Sequence, residues 1–532
     1  VENIPSYNLL IDRSCTRDLQ RSLRFAAQVL ARPLPELRAV LDGYRAVPEF
    51  KPVLLAENLT LSEAARVGVE ALEYPEFEVE VEHLRLYRHA EQTAHLMGYL
   101  AEVSEEEVAR SRGALRPGDL VGKKGIEQAH DAELRGRDGE RVVVVDSHGR
   151  LLEEFGRRAP EPGKNLTLTI DLELQQEAVR FFQGPEGVGS VVALDPRNGE
   201  VLALVSAPAY NPNLFARRLQ KGEWQALLAA PNHPLTNRAI QNTFSPGSVF
   251  KIVMLTAGLT ASPTEPAAVN EHSRVFCSGS TVIYGRRFRC WRPEGHGWVD
   301  ARGALKHSCD VYFYHLGQKL GIERIARYAR LFGLESPTGI DLAGEKSGLV
   351  PDAAWSRRVR KAKWYPGETI SVAIGQGPIL LTPMQMAVMT AMVANGGHPV
   401  VPHLVKGAKP RPRPMVKLDP HALQVVREGL WAVVNQPGGT AHWSTFIPGL
   451  DMAGKTGTVQ VVAMSARTKN ESLPFRFRDH AWFTSFAPLA DPRLVVVVFA
   501  EHGGGGSRTA APIAKSVYEK YFAADLQRLA AL

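Results

Sequence analysis

Between residues 18 and 32 apolar side chains return at helical spacing. Leu19, Leu23, Ala26 and Val29 fall on one side, and Pro33 ends the run. A second helix is expected from Leu61, with Ser62 as its cap. Phe77-Glu78-Val79-Glu80-Val81-Glu82 alternates strictly and predicts a half-exposed strand. The prolines and glycine of Arg157-Arg158-Ala159-Pro160-Glu161-Pro162-Gly163-Lys164 read as a linker. After it, residues 166–170 read as a strand, and Asp171 caps a helix through Phe182. Residues 191–195 and 200–205 flank Asn198-Gly199, a strong hairpin signal. From Ser248 to Asn395 the pattern is mainly helical, and strands return after Lys455. Leu494-Val495-Val496-Val497-Val498-Phe499-Ala500 predicts a buried strand, and Ile513, Val517 and Tyr521 a closing amphipathic helix. Helices gathered between strands of one largely antiparallel sheet make an α+β architecture.

At 532 residues the chain is long for one core. We therefore expect two domains, residues 1–160 for binding or spacing and 161–532 for chemistry. A net charge of +7 is compatible with an anionic partner. Nucleic acid has no support, because no basic heptad region, zinc-finger spacing or RNA-binding aromatic signature is present. The run 494–500 is too short to cross a bilayer, and no signal peptide opens the chain.

Chemistry enters with Phe244-Ser245-Pro246-Gly247-Ser248-Val249-Phe250-Lys251. Pro246-Gly247 stands before an unbroken helical stretch, which places Ser248 in the first turn and Lys251 on the same face. A lysine kept neutral by burial can take the proton of a serine hydroxyl, and free N–H groups at a helix start favour an oxyanion. Two further pieces stand downstream, Ser308-Cys309-Asp310 and Lys455-Thr456-Gly457-Thr458. Ser-x-x-Lys, a Ser-x-Asn-like triplet and Lys-Thr-Gly occur together, in this order, in penicillin-binding proteins and β-lactamases.

Residues from about 90 to 525 resemble a class B penicillin-binding protein of the elongation type. Supporting this are Asp195-Pro196-Arg197-Asn198-Gly199-Glu200, Asn237-Arg238-Ala239, Gly375-Gln376-Gly377 and Thr382-Pro383-Met384-Gln385. Upstream, His95-Leu96-Met97-Gly98-Tyr99-Leu100 and Gly125-Ile126-Glu127 resemble the family's non-catalytic pedestal. The family's membrane helix is not among these residues, so a single-pass protein is expected, its catalytic domain outside the cytoplasm and its anchor outside this chain. The resemblance implies a penicillin-recognising transpeptidase domain: an antiparallel sheet with helices on both faces, plus a helical subdomain. It further implies a D,D-transpeptidase that crosslinks peptidoglycan stem peptides and is acylated by β-lactams, with no cofactor needed for the chemistry.

By the resemblance, Ser248 attacks the donor carbonyl, Lys251 is the base, and Ser308 relays a proton to the leaving amine. Lys455 and Thr456 hold the donor's terminal carboxylate, and the N–H groups of Ser248 and Thr458, beyond Gly457, form the oxyanion hole. Asp310 stands where many relatives have an amide. An ionised carboxylate between lysines opposes a neutral Lys251, so the first proton acceptor stays open between the lysines.

Of four cysteines, Cys277, Cys290 and Cys309 share a segment with His296. The readings are a structural zinc, a Cys277–Cys290 disulfide, or free thiols. The resemblance adds that some relatives bind zinc at matching places.

Rival functions share the Ser248 constellation. A β-lactamase is disfavoured by the lack of a Glu-x-x-x-Asn loop, whereas a D,D-carboxypeptidase differs only in passing the acyl group to water. A regulatory pedestal is a further expectation. Its implied partners are a SEDS-family polytopic lipid II polymerase and other membrane proteins of the elongation complex. His480 lacks the nucleophile elbow of a Ser-His-Asp enzyme, and Gly503–Gly506 reads as a flexible turn.

Overall fold

The computed structural model describes residues 1–146, 151–217, 219, 221–261, 265, 268–462 and 472–530. Near the N-terminus β1 (Glu2–Ile11) lies between β2 (Val53–Leu59) and β3 (Phe77–Leu86), both antiparallel to it. Leu9, Ile11, Val53 and Leu55 bury one face against helices Leu19–Val29, Leu34–Asp42 and Leu61–Val69. Asp18 caps the first of these. Thr60, not Ser62, caps the third, in a reciprocal box with Glu63. Position 60 wins because its extended backbone aims the hydroxyl at the Glu63 N–H.

Downstream, Arg157 and Arg158 end a strand (Leu151–Arg158), so the linker is shorter than its composition suggests. The strand expected at 166–170 is an extended edge with an isolated bridge from Leu168 to Val405, since its neighbour there is a loop. Asp171 caps α1 (Leu172–Val179) as expected. Then come β4 (Gly189–Leu194) and β5 (Val201–Ala207), joined through Gly199 at φ 88. α2 (Lys251–Leu259) follows a 3-10 turn, Gly247–Phe250. A small lobe contains the hairpin β6 (Ser280–Ile283) and β7 (Arg286–Arg289), which the helical reading of this region missed. Then come α3 (Asp310–Leu331), interrupted at Gly321, α4 (Pro383–Ala394) and α5 (Pro420–Asn435). The chain closes with β8 (Ala453–Val459), β9 (His480–Ala487), β10 (Leu494–Ala500) and α6 (Ala511–Tyr521).

The five strands form one antiparallel sheet in the order β8-β9-β10-β4-β5. Alternation along β10 decides which side each residue serves. Val495, Val497 and Phe499 face the core built with α2, α3 and α4, while Leu494, Val496 and Val498 face α1 and α6. Both faces are covered, so β10 is apolar throughout. Among the described residues no helix is long and apolar enough to cross a membrane.

Candidate active site

The site lies where the 3-10 turn, the start of α3 and edge strand β8 meet. A 3-10 turn has three residues per turn and so stacks Ser248 under Lys251. Val249, Phe250, Ile252 and Val253 anchor the turn in the core, leaving Ser248 half-buried. Beneath it, the Gly247 N–H donates to the Gly375 carbonyl at 2.9 Å. Gly375 has φ +72, and a Cβ there would lie 2.0 Å from the Gly247 oxygen. On the other side Gly457 faces the turn: a Cβ on it would meet Val249 Cγ2 at 3.0 Å and the Pro246 oxygen at 3.2 Å. The three predicted pieces therefore converge.

Lys251 is fully buried, and its Nζ donates to Asp310 Oδ1 at 2.6 Å, the Ser308 carbonyl at 2.9 Å and Ser308 Oγ at 3.2 Å. From β8, the buried Lys455 Nζ reaches the same Ser308 Oγ at 2.9 Å and the Thr456 carbonyl at 3.0 Å. The serine hydroxyl thus bridges two lysines. Ser308 has φ 52, the left-handed region that costs a β-carbon residue about 1–3 kcal/mol. Asp310 touches Lys251 but has no hydrogen bond to Lys455 among the described residues. Burial, then the charge of Lys251, push the Lys455 ammonium well below the usual lysine range, and Asp310 only partly offsets this. Asp310 Oδ2 also accepts the Trp291 N–H at 3.0 Å, so the carboxylate is held from two sides.

Thr456 is buried, while Thr458 is exposed beyond Gly457. The motif scan missed Thr440, whose hydroxyl lies 2.8 Å from that of Thr456. It lies in the loop after α5, where Gln-Pro-Gly-Gly-Thr carries turn residues but no chemical signal. Gly506 was also missed as a packing residue. A Cβ there would strike the Trp482 and Gly457 carbonyl oxygens at 2.4 and 2.5 Å, so this glycine run is a strap packed on β8 and not a loose turn. His480 is outside the constellation: it begins β9, its ring 4.6 Å from that of His502, and burial pushes its pKa down to about 4.

Beside Asp310 the Cys277, Cys290 and Cys309 sulfurs and a His296 nitrogen all lie within 4.8 Å of one another. The Cys277 and Cys290 sulfurs are each 3.6 Å from His296 Nδ1. Metal–sulfur and metal–nitrogen bonds of ordinary zinc length, set at the tetrahedral angle, separate sulfur and nitrogen by about 3.6 Å. A hydrogen bond with Cys309 pulls the Cys290 thiol strongly down, toward the metal-binding thiolate form. All three thiols are free, so the Cys277–Cys290 disulfide does not form; both sulfurs turn toward His296 and Cys309.

A helix-covered antiparallel sheet whose edge brings the Ser248 turn beside two buried lysines is the arrangement expected of a transpeptidase domain. Residues 189–519 match the penicillin binding protein transpeptidase domain and residues 1–168 the penicillin-binding protein dimerisation domain, and the chain belongs to this family. Within it the chain is a class B protein of the penicillin-binding protein 2 (MrdA) group. It is 32% identical over 539 residues to the peptidoglycan D,D-transpeptidase MrdA of Haemophilus influenzae, covering 98% of this chain and 82% of that one. The penicillin-binding protein 2 of Helicobacter pylori, solved in complex with MreC, superposes with a TM-score of 0.86 at 26% identity, covering 98% and 95%. A chain from a peptidoglycan synthase complex that coordinates polymerization and crosslinking gives a TM-score of 0.75 at 32% identity, covering 98% and 88%.

Proposed function

We propose that this protein is the peptidoglycan D,D-transpeptidase of cell elongation, working at the outer side of the cell membrane through an acyl-enzyme on Ser248. The observation that carries the reading is the Ser308 hydroxyl shared by Lys251 and Lys455 beside the Ser248 turn. Lys251 Nζ lies 2.6 Å from Asp310 Oδ1, whereas burial pushes the Lys455 ammonium well below the usual lysine range. A proton moving from Lys251 through Ser308 to Lys455 leaves Lys251 free to accept the Ser248 proton as its oxygen attacks the donor carbonyl. Ser308 then relays the proton now on Lys251 to the departing D-alanine amine, taking one from Lys251 as it gives one up, and the Ser248 and Thr458 N–H groups support the oxyanion. The Lys455 ammonium and the Thr456 hydroxyl receive the donor's carboxylate. An acceptor amine reverses these proton steps and takes the acyl group.

Cys277, Cys290, Cys309 and His296 are the ligands we assign to a structural zinc, which would neutralise the thiolates and fix the lobe against Asp310. Purified protein is expected to hold about one zinc per chain by mass spectrometry of the intact metalloprotein. Its removal should lower both the melting temperature and penicillin acylation. The pedestal we assign to a membrane partner, a SEDS-family lipid II polymerase or another protein of the elongation complex. Its ribbon of strands Glu140–Val145 and Leu151–Arg158 exposes Val142, Val144 and Phe155, which supports that role.

Mass spectrometry after exposure to a penicillin tests the central reading, with the adduct expected on the peptide holding Ser248. A stem-peptide donor supplied with and without an amine acceptor then separates transfer from hydrolysis. Hydrolysis unaffected by the acceptor would replace the transpeptidase with a carboxypeptidase.

A further inference from the structure

The lobe between α2 and α3 has a feature that the acylation chemistry does not use. Between Arg274 and Pro293 there are five arginines and no carboxylate. Three stand on one strand and its start, Arg286, Arg287 and Arg289, all exposed, and none is in an ion pair among the described residues. Tyr284 and Gly285 join β6 to β7 with φ values of 52 and 74, the pair of positive values that a tight type I′ hairpin needs.

Register sets which side chains face outward. Opposed residues share a face: Thr281 with Phe288 and Ile283 with Arg286 on one side, Ser280 with Arg289 and Val282 with Arg287 on the other. The first side is packed. Ile283 is buried, the Phe288 ring lies 5.4 Å from Tyr314, and Thr281 Oγ1 is 3.1 Å from His315 Nε2 on α3. Arg287 and Arg289 are therefore displayed together on the outward face, with no packing task to explain them.

This strip runs to the catalytic constellation. Two residues beyond Arg289 stands Trp291, 57% exposed, whose backbone N–H bonds Asp310 Oδ2 and whose Nε1–H bonds the His307 carbonyl. A strand advances about 3.3 Å per residue, so Arg287 lies roughly 13 Å from Trp291 along the chain. An extended peptide covers that distance in about four residues.

We infer that Arg287 and Arg289, with Trp291, form a binding strip for a carboxylate-bearing stem peptide, holding it by its acidic side chains a few residues from the reacting carbonyl or amine. The inference deepens the proposed transpeptidase function and rests on it. Arginine forks match carboxylates in pairs, and the exposed indole supplies a flat apolar wall between them and the cleft. The peptide is either the donor or the acceptor stem, since both carry the same carboxylates.

The test is a binding titration of a synthetic acidic stem tripeptide, and of the same peptide with its carboxylates amidated. Each is titrated into free and penicillin-acylated full-length protein. For the wild type we expect the acidic peptide to bind more tightly than the amidated one, with affinity falling as salt rises. R287Q/R289Q should weaken the acidic peptide about tenfold and leave the amidated one unmoved, since two charge-assisted contacts are lost. R287K/R289K should recover part of that loss. R357Q/R358Q, an exposed pair elsewhere, should change nothing. Binding that persists after acylation identifies the acceptor stem, and binding that acylation abolishes identifies the donor; either supports the strip. Equal affinity of wild type and R287Q/R289Q, equal affinity for the two peptides, or an R287Q/R289Q defect seen only with anionic lipid vesicles overturns it. Penicillin labelling of the same wild-type preparation reports separately on the catalytic reading, because absence of an adduct removes that reading without touching the titration.

Discussion

At the residue scale the decisive feature is the unequal treatment of two lysines that share one hydroxyl. Lys251 has a carboxylate at 2.6 Å, whereas among the described residues Lys455 donates to the serine hydroxyl and a carbonyl. Because burial depresses the native pKa of Lys455, the unfolded chain holds one more proton between that value and the ordinary lysine value. Stability should therefore rise with pH across this window, and Lys455→Met should flatten the slope in denaturant titrations at several pH values. Acylation should rise over the lower edge of the same window as Lys455 loses its proton. Lys455→Arg keeps a permanent cation, so stopped-flow penicillin acylation is expected to fall by at least about a hundredfold at every pH. Thr440 acts one hydrogen bond away, orienting the Thr456 hydroxyl. Thr440→Val should weaken capture of carboxylate-bearing substrates about five- to tenfold, mainly in KM, with Thr440→Ser restoring it.

At the scale of elements, the Ser248 turn is clamped between two backbones. Gly375 lies beneath it, and β8 beside it, backed by the Gly506 strap. Gly375→Ala adds both a left-handed φ on a residue with a β-carbon and a clash with the Gly247 carbonyl. The cost should be about 2–4 kcal/mol of stability, read as a lower melting temperature. Displacement of Ser248 by even an ångström should reduce acylation about a hundredfold, so the rate should suffer more than the fold.

At the scale of the whole molecule, the pedestal and catalytic body are not beads on a string. Leu96 and Ile126 belong to the main catalytic core, and Tyr99 stacks on Phe215 at 3.7 Å with Tyr210 edge-on. We place the domain division near residue 160, yet a fragment of residues 161–532 loses these plugs. It should melt well below the full chain and bind an apolar dye that the full chain excludes. Tyr99→Ala should cost about 3–4 kcal/mol in the full chain while leaving penicillin acylation at Ser248 intact.

Much of the architecture was legible because it follows from local rules. Period-two and period-3.6 patterns revealed β10, α6 and the helix capped by Asp18, and Asn198-Gly199 marked the hairpin between β4 and β5. The side chains that converge in the candidate site were legible too, because Ser248 and Lys251 stand in one short motif, and Ser308, Asp310 and Lys455 in two others. What lay beyond the sequence is whatever depends on a partner distant in the chain. The cap at Thr60, the bridge at Leu168, the strap at Gly506 and the hydroxyl of Thr440 are each defined by a neighbour that local spacing does not reveal. The same holds for charge. Residue identity determines that two lysines are present, but only folding, by burying both and giving a carboxylate to one, decides which of them is driven to give up its proton.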